Sequence, residues 1–72
     1  MKLPLVSGKD TIKALSKIGY AIDRQRGSHI VLWKEGATPL IVPNHPQLDR
    51  GTLRAIIRAA GLTVPEFNEL IR

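Results

Sequence analysis

The run Gly27-Ser28-His29-Ile30-Val31-Leu32-Trp33 places an ionisable imidazole in a stretch that otherwise reads as a buried strand. Histidine is the one side chain whose unperturbed titration lies close to neutrality, which makes it the residue type for proton transfer at physiological pH. Arg24 and Arg26 precede the run and Lys34 follows it, so a proton-transfer group would work in a positive neighbourhood suited to an anion such as a phosphodiester. RNA carries its own nucleophile, the 2′-hydroxyl. A base that takes its proton and cations that hold the phosphate would therefore suffice, whereas DNA would resist the same site. A lone histidine in a strand also serves as a packed or hydrogen-bonded residue, and the residues alone leave both readings open.

The second histidine, His45, stands between Asn44 and Pro46, where it can simply hydrogen-bond the loop backbone. Neither histidine has a second His, a Cys or paired carboxylates at metal-ligand spacing, so the chemistry expected here uses no metal and no cofactor. Ser28 has no carboxylate-oriented histidine beside it in sequence and does not read as half of a hydrolase pair. Trp33 could stack on an unpaired base or fill the core or its rim. With Tyr20 and Phe67 the other aromatics, the usual single-strand stacking platform is not expected.

The elements that must position these groups are legible in order. Ser7 and Asp10 mark a helix start, and a helix from about Gly8 to Ile18 would bury Ile12, Leu15 and Ile18 with Ala14 alongside, ending at Gly19. Lys9, Lys13 and Lys17 recur at i, i+4 and i+8 and form one row along it. Tyr20 to Arg26 and Ser28 to Lys34 pair as a hairpin about Gly27, and Thr38 to Val42 adds a third strand whose Pro39 lies at an edge or at the strand's start. Ile30 and Leu32 are assigned to the helix side, which leaves His29 and Trp33 on the open face. Pro43-Asn44-His45-Pro46 reads as a fixed loop. A second helix from Arg50 or Gly51 to about Ala60 buries Leu53, Ile56, Ile57 and Ala60, and carries a second cationic row of Arg50, Arg54 and Arg58. Thr63 and Glu66 start a short closing helix that docks through Phe67, Leu70 and Ile71. The predicted architecture is α+β, in the order αβββα with a small C-terminal helix.

Seventy-two residues allow one domain, 1–72, with one small core; a chain of this size hides only about 60% of its unfolded surface. Eleven Lys and Arg against six Asp and Glu give a formal charge of +5, which favours nucleic acid or another polyanion as partner. Each cationic row can equally be a solvated helix face. The absence of cysteine excludes disulfides and thiolate metal sites. The sequence offers no apolar run long enough to span a bilayer, so the expectation is a cytoplasmic protein without a membrane segment.

Lys17-Ile18-Gly19-Tyr20, then Arg26-Gly27-Ser28-His29, then Val42-Pro43-Asn44-His45-Pro46, then Gly51-Thr52-Leu53-Arg54-Ala55-Ile56 and Ala60-Gly61-Leu62 resemble the HicA (YcfA-like) toxin family of type II toxin–antitoxin systems. The resemblance runs from about Val6 to Phe67. It implies a fold like a double-stranded-RNA-binding domain, an mRNA endoribonuclease activity, and a catalytic histidine at His29. It further implies a HicB-like antitoxin that covers the active face. Ile30-Val31-Leu32-Trp33 departs from the family, in which polar or basic residues are frequent after the histidine. The expected RNA contacts are Ser28, Arg24, Arg26, Lys34 and the two rows, Lys9, Lys13 and Lys17 with Arg50, Arg54 and Arg58. The rival readings are a non-catalytic RNA-binding module and a protein that works mainly through an acidic protein partner.

Overall fold

Three helices and three strands follow one another in a computed structural model that describes residues 2–72: α1 (Gly8–Ser16), β1 (Ala21–Arg26), β2 (His29–Trp33), β3 (Leu40–Pro43), α2 (Arg50–Ala59) and α3 (Val64–Ile71). The strands form an antiparallel meander in the order β1-β2-β3. Helix, three antiparallel strands and two further helices make the α+β arrangement expected from the sequence.

Each helix starts on a side-chain cap. Ser7 Oγ accepts the Asp10 N–H at 3.0 Å while Asp10 Oδ2 accepts the Ser7 N–H at 3.4 Å, and Thr63 with Glu66 makes the same reciprocal box for α3. Asp49 caps α2 by accepting the Thr52 N–H at 2.7 Å, a role its place just before a periodic apolar run would have signalled. The α1 helix ends at Ser16, not at Ile18: Lys17–Gly19 form a turn, Gly19 takes φ +102°, and the Tyr20 N–H returns to the Leu15 carbonyl at 3.2 Å. That early exit buries the Tyr20 ring, so β1 begins one residue later than expected. β3 starts after Pro39 rather than at Thr38, because a proline cannot donate to the ladder. It extends to Pro43, which the sequence assigned to the following loop.

One face of the sheet supplies Ile30, Leu32, Leu40 and Val42 to a core shared with Leu15, Leu53, Ile56, Ile57 and Phe67. Ile12, Ile18, Ala60, Leu70 and Ile71 pack only at its margin. Their places are taken by Leu3, Val6, Tyr20 and Leu48, which lie outside the helical periodicities, and by the buried Thr11, whose hydroxyl donates to the Ser7 carbonyl at 2.9 Å. The C-terminal end of α3 is tied down by Lys17. Its Nζ donates to the Leu70 carbonyl at 2.6 Å and to the Arg72 main-chain oxygen at 3.2 Å, placing a cation where the helix dipole is negative.

The first turn of α1 is pressed against the loop after β3. Gly8 donates its N–H to the His45 carbonyl at 2.9 Å, and a Cβ at position 8 would overlap the Pro43 carbonyl oxygen. Gly8→Ala gains helix propensity worth about 1 kcal/mol, yet it forces backbone apart, a cost of about 1–3 kcal/mol for overpacking. The expected outcome is a lower urea midpoint for Gly8→Ala than for the wild type. Lys17→Met keeps the aliphatic stem and removes the bond to α3; hydrogen exchange at the last amides of α3 should quicken while exchange at β2 stays unchanged.

Candidate functional site

The face on which β1 presents its arginines is decided by one inserted residue. Ala21 lies opposite Trp33 and Ile22 opposite Leu32, but Arg24 then lies opposite Val31, so Asp23 is a bulge without a partner. Directly opposed residues share a face. An unbroken ladder would therefore have set Arg24 beside Ile30 on the core side; the bulge moves Arg24 and Arg26 to the face of His29. The two-residue turn Gly27-Ser28, with Gly27 at φ +57°, closes the hairpin so that Arg26 stands directly across from His29.

His29 is exposed, and among the described residues no protein group hydrogen-bonds its ring. Its partner on the other side is Pro43 of β3. Val31 and Trp33 follow on the same face, flanked by Ile41 and Ala21, and the helices cover the opposite face through Ile30 and Leu32. The sequence assignment of Ile30 and Leu32 inward and of His29 and Trp33 outward holds. Trp33 is 51% exposed, which removes the core role that the sequence left open for it.

The loop after β3 gathers three parts of the chain at the His29 end. The Asn44 N–H donates to the Ser28 carbonyl at 2.6 Å, the Gly8 N–H to His45, and the Leu48 N–H to the Val6 carbonyl at 2.9 Å. His45 also lies close enough to Asp49 to act on it. The Thr52 hydrogen bonds hold the Asp49 carboxyl below its ordinary range, first through the backbone N–H and then through the side chain, and the charge of His45 adds to the same direction. The result is a junction at which the β1–β2 turn, the start of α1 and the start of α2 meet. Lys9, in the first turn of α1, lines a cavity of about 300 Å³ there with Ser7, Asn44, His45 and Pro46. Arg50 opens α2 beside it.

The two cationic rows are not brought onto one surface. Lys9 and Lys13 edge a groove of about 430 Å³ between α1 and β1, floored by Ile12, Tyr20, Ile22 and Ile30. Arg54 and Arg58 line a shallow hollow between α2 and α3. Lys17 is engaged with α3, and Lys34 is half-buried with Nζ 5.4 Å from the centre of the Tyr20 ring, a cation–π contact. By contrast Lys9, Lys13, Arg24, Arg26, Arg50, Arg54 and Arg58 are exposed. The ion pair Arg72–Glu69 at 3.6 Å is the one found among the described residues, so these seven cations carry no carboxylate partner. Among the described residues no three His, Asp or Glu cluster as a metal site, and no helix is long and apolar enough to cross a membrane.

The fold is shared with a solved structure. The structure is similar to a chain of a toxin–antitoxin complex from Streptococcus pneumoniae, with a TM-score of 0.73 and 34% identity over 79% of this chain and 98% of that one. No curated protein sequence matches. The family model described as HicA toxin of bacterial toxin-antitoxin matches residues 8–62, which contain α1, the whole sheet, the junction loop and α2. On that match, and with His29 and its two arginines on the open sheet face, the chain belongs to the HicA toxin family.

Proposed function

We propose that the protein is the toxin of a type II toxin–antitoxin system, a metal-independent endoribonuclease that cleaves mRNA and is held inactive by a HicB-like antitoxin. The observation that supports it most is the placement of an exposed, unengaged histidine directly across a two-residue hairpin from Arg26, with Arg24 on the same face. His29 takes the proton from the 2′-hydroxyl, and the oxygen attacks the adjacent phosphorus in line with the departing 5′-oxygen. Arg26 and Arg24 offer planar donors to the phosphate oxygens as charge builds on them. The products are a 2′,3′-cyclic phosphate and a 5′-hydroxyl, with the leaving oxygen protonated by water, a lysine or the returning proton of His29.

Lys9 and Arg50 flank the junction beside Ser28 and extend the binding surface. Lys13, Arg54 and Arg58 stand at separate hollows beside the helices and, like Lys17 and Lys34, whose ammonium groups already have protein contacts, contribute mainly through the long-range field. Phosphate contacts of this kind supply affinity and little sequence choice. The antitoxin would sit over the exposed sheet face and exclude RNA from His29; a similar chain solved as a toxin–antitoxin complex supports such a partner.

Partner-free wild type should cut a single-stranded RNA in excess EDTA and leave cyclic phosphate ends, whereas His29→Ala, folded by circular dichroism, should lose at least 100-fold in rate, the lower end of about 10²–10⁴ for general base catalysis. Binding without cutting by both proteins would reassign the chain as a non-catalytic RNA-binding module. Removing Arg24 and Arg26 together should flatten the dependence of log K on log salt by roughly 1.4, two contacts at about 0.7 each on single-stranded RNA. An unchanged slope would return both side chains to the solvated surface.

A further inference from the structure

His29, Val31 and Trp33 stand in one line along the open face of β2, and the line is not covered by any helix. Trp33 is 51% exposed, and among the described residues its indole has no hydrogen-bond partner. Ala21 lies directly across from it, and Ile41, itself 58% exposed, is its diagonal neighbour opposite Val31. This is an aromatic plate with a small apolar rim, continuous with the proton-transfer group at one end and with two unpaired arginines beside it.

We propose that Trp33 is the floor of a subsite for an unpaired nucleobase of the RNA, separate from the nucleotide whose phosphate is cut. The inference rests on the ribonuclease reading of His29. Four residues of strand at about 3.3 Å each put Trp33 roughly 13 Å from His29. Against the ~3.4 Å rise of a stacked strand, that spans roughly two to four nucleotides once the strand is partly extended. A phosphate held at His29 by Arg24 and Arg26 therefore directs the neighbouring backbone along β2, and brings a base over the indole. Stacking tolerates any base but is strongest with the larger purine faces, so the subsite biases where the enzyme cuts at a distance from the scissile bond. A purely protein-binding patch would account for Ile41 and Val31. An RNA strand held at His29 by Arg24 and Arg26 reaches Trp33 along the same strand, so the indole serves the substrate as well as any protein that covers this face.

Trp33 is the one tryptophan in the chain, so its emission reports this subsite alone. The full-length His29→Ala protein, which holds RNA without consuming it, should be titrated with oligoadenylate, oligouridylate and a fully paired RNA duplex, following labelled RNA by anisotropy and Trp33 by fluorescence. Single-stranded RNA is expected to quench the indole, oligoadenylate binding more tightly than oligouridylate and the duplex leaving the emission unchanged. Adding Trp33→Ala should weaken oligoadenylate binding by about 5- to 150-fold, the size of one lost base stack, without changing the salt slope. Trp33→Phe should recover most of that loss. In the cleaving protein Trp33→Ala should shift the pattern of cut sites more than the overall rate. RNA binding seen by anisotropy with no change in Trp33 emission, and with equal affinity after Trp33→Ala, overturns the subsite and leaves the ribonuclease reading intact. Failure of every RNA to bind overturns both.

Discussion

The register between β1 and β2 is the constraint on which the functional surface depends. A strand alternates its faces with a period of two, so one extra residue exchanges every side chain beyond it. Asp23 is that residue, and it lies between Ile22, which faces the helix side, and Arg24, which faces out. The turn at Gly27-Ser28 fixes the other end, because a two-residue loop permits one pairing of Arg26 with His29. Between bulge and turn, two arginines and a histidine reach one face, and among the described residues no hydrogen bond joins their side chains. The geometry is set by main-chain pairing, so the arginines and the histidine remain available to a ligand.

The second organising contact is the approach of α1 to the loop after β3. Hydrogen bonds from Gly8, Asn44 and Leu48 join the helix starts to the hairpin, and each ties main chain to main chain. The junction is also packed from within, since Val6 and Leu48 are buried in the core. The hydrogen bonding explains the economy of the Pro43-Asn44-His45-Pro46 loop. Prolines at both ends limit the backbone, while the peptide groups between them supply a donor to Ser28 and an acceptor to Gly8.

Much of this was legible in the residues. The capping boxes at Ser7 and Thr63, the period of Leu53, Ile56 and Ile57, and the inward pair Ile30 and Leu32 are local patterns, and local patterns are what periodicity and capping rules register. The register of β1 was not legible, because Ile22-Asp23-Arg24-Gln25-Arg26 alternates acceptably with or without a bulge. Nor was the division of the cations. Lys17 and Lys34 look like their neighbours in sequence, and only the return of α3 and the burial of Tyr20 give them protein partners. Leu3, Val6 and Leu48 escaped the core assignment for the same reason, since they are buried by segments that have no period of their own.

The exposed side of the sheet is difficult to explain by stability. Full burial of a large apolar side chain is worth about 1.5–3 kcal/mol, and a 72-residue chain has little stability in hand, so leaving Ile22, Trp33 and Ile41 half or more exposed withholds a sizeable contribution from folding. The three do not form one surface: Ile22 faces the groove edged by Lys9 and Lys13, whereas Trp33 and Ile41 lie on the face of His29. Each is thus an apolar site beside unpaired cations, one behind the edge strand and one in front of it. An acidic protein partner and an RNA strand need that same combination of apolar contact and positive charge. A toxin that must be reached by its substrate and covered by its inhibitor has reason to keep such surface out of its own core.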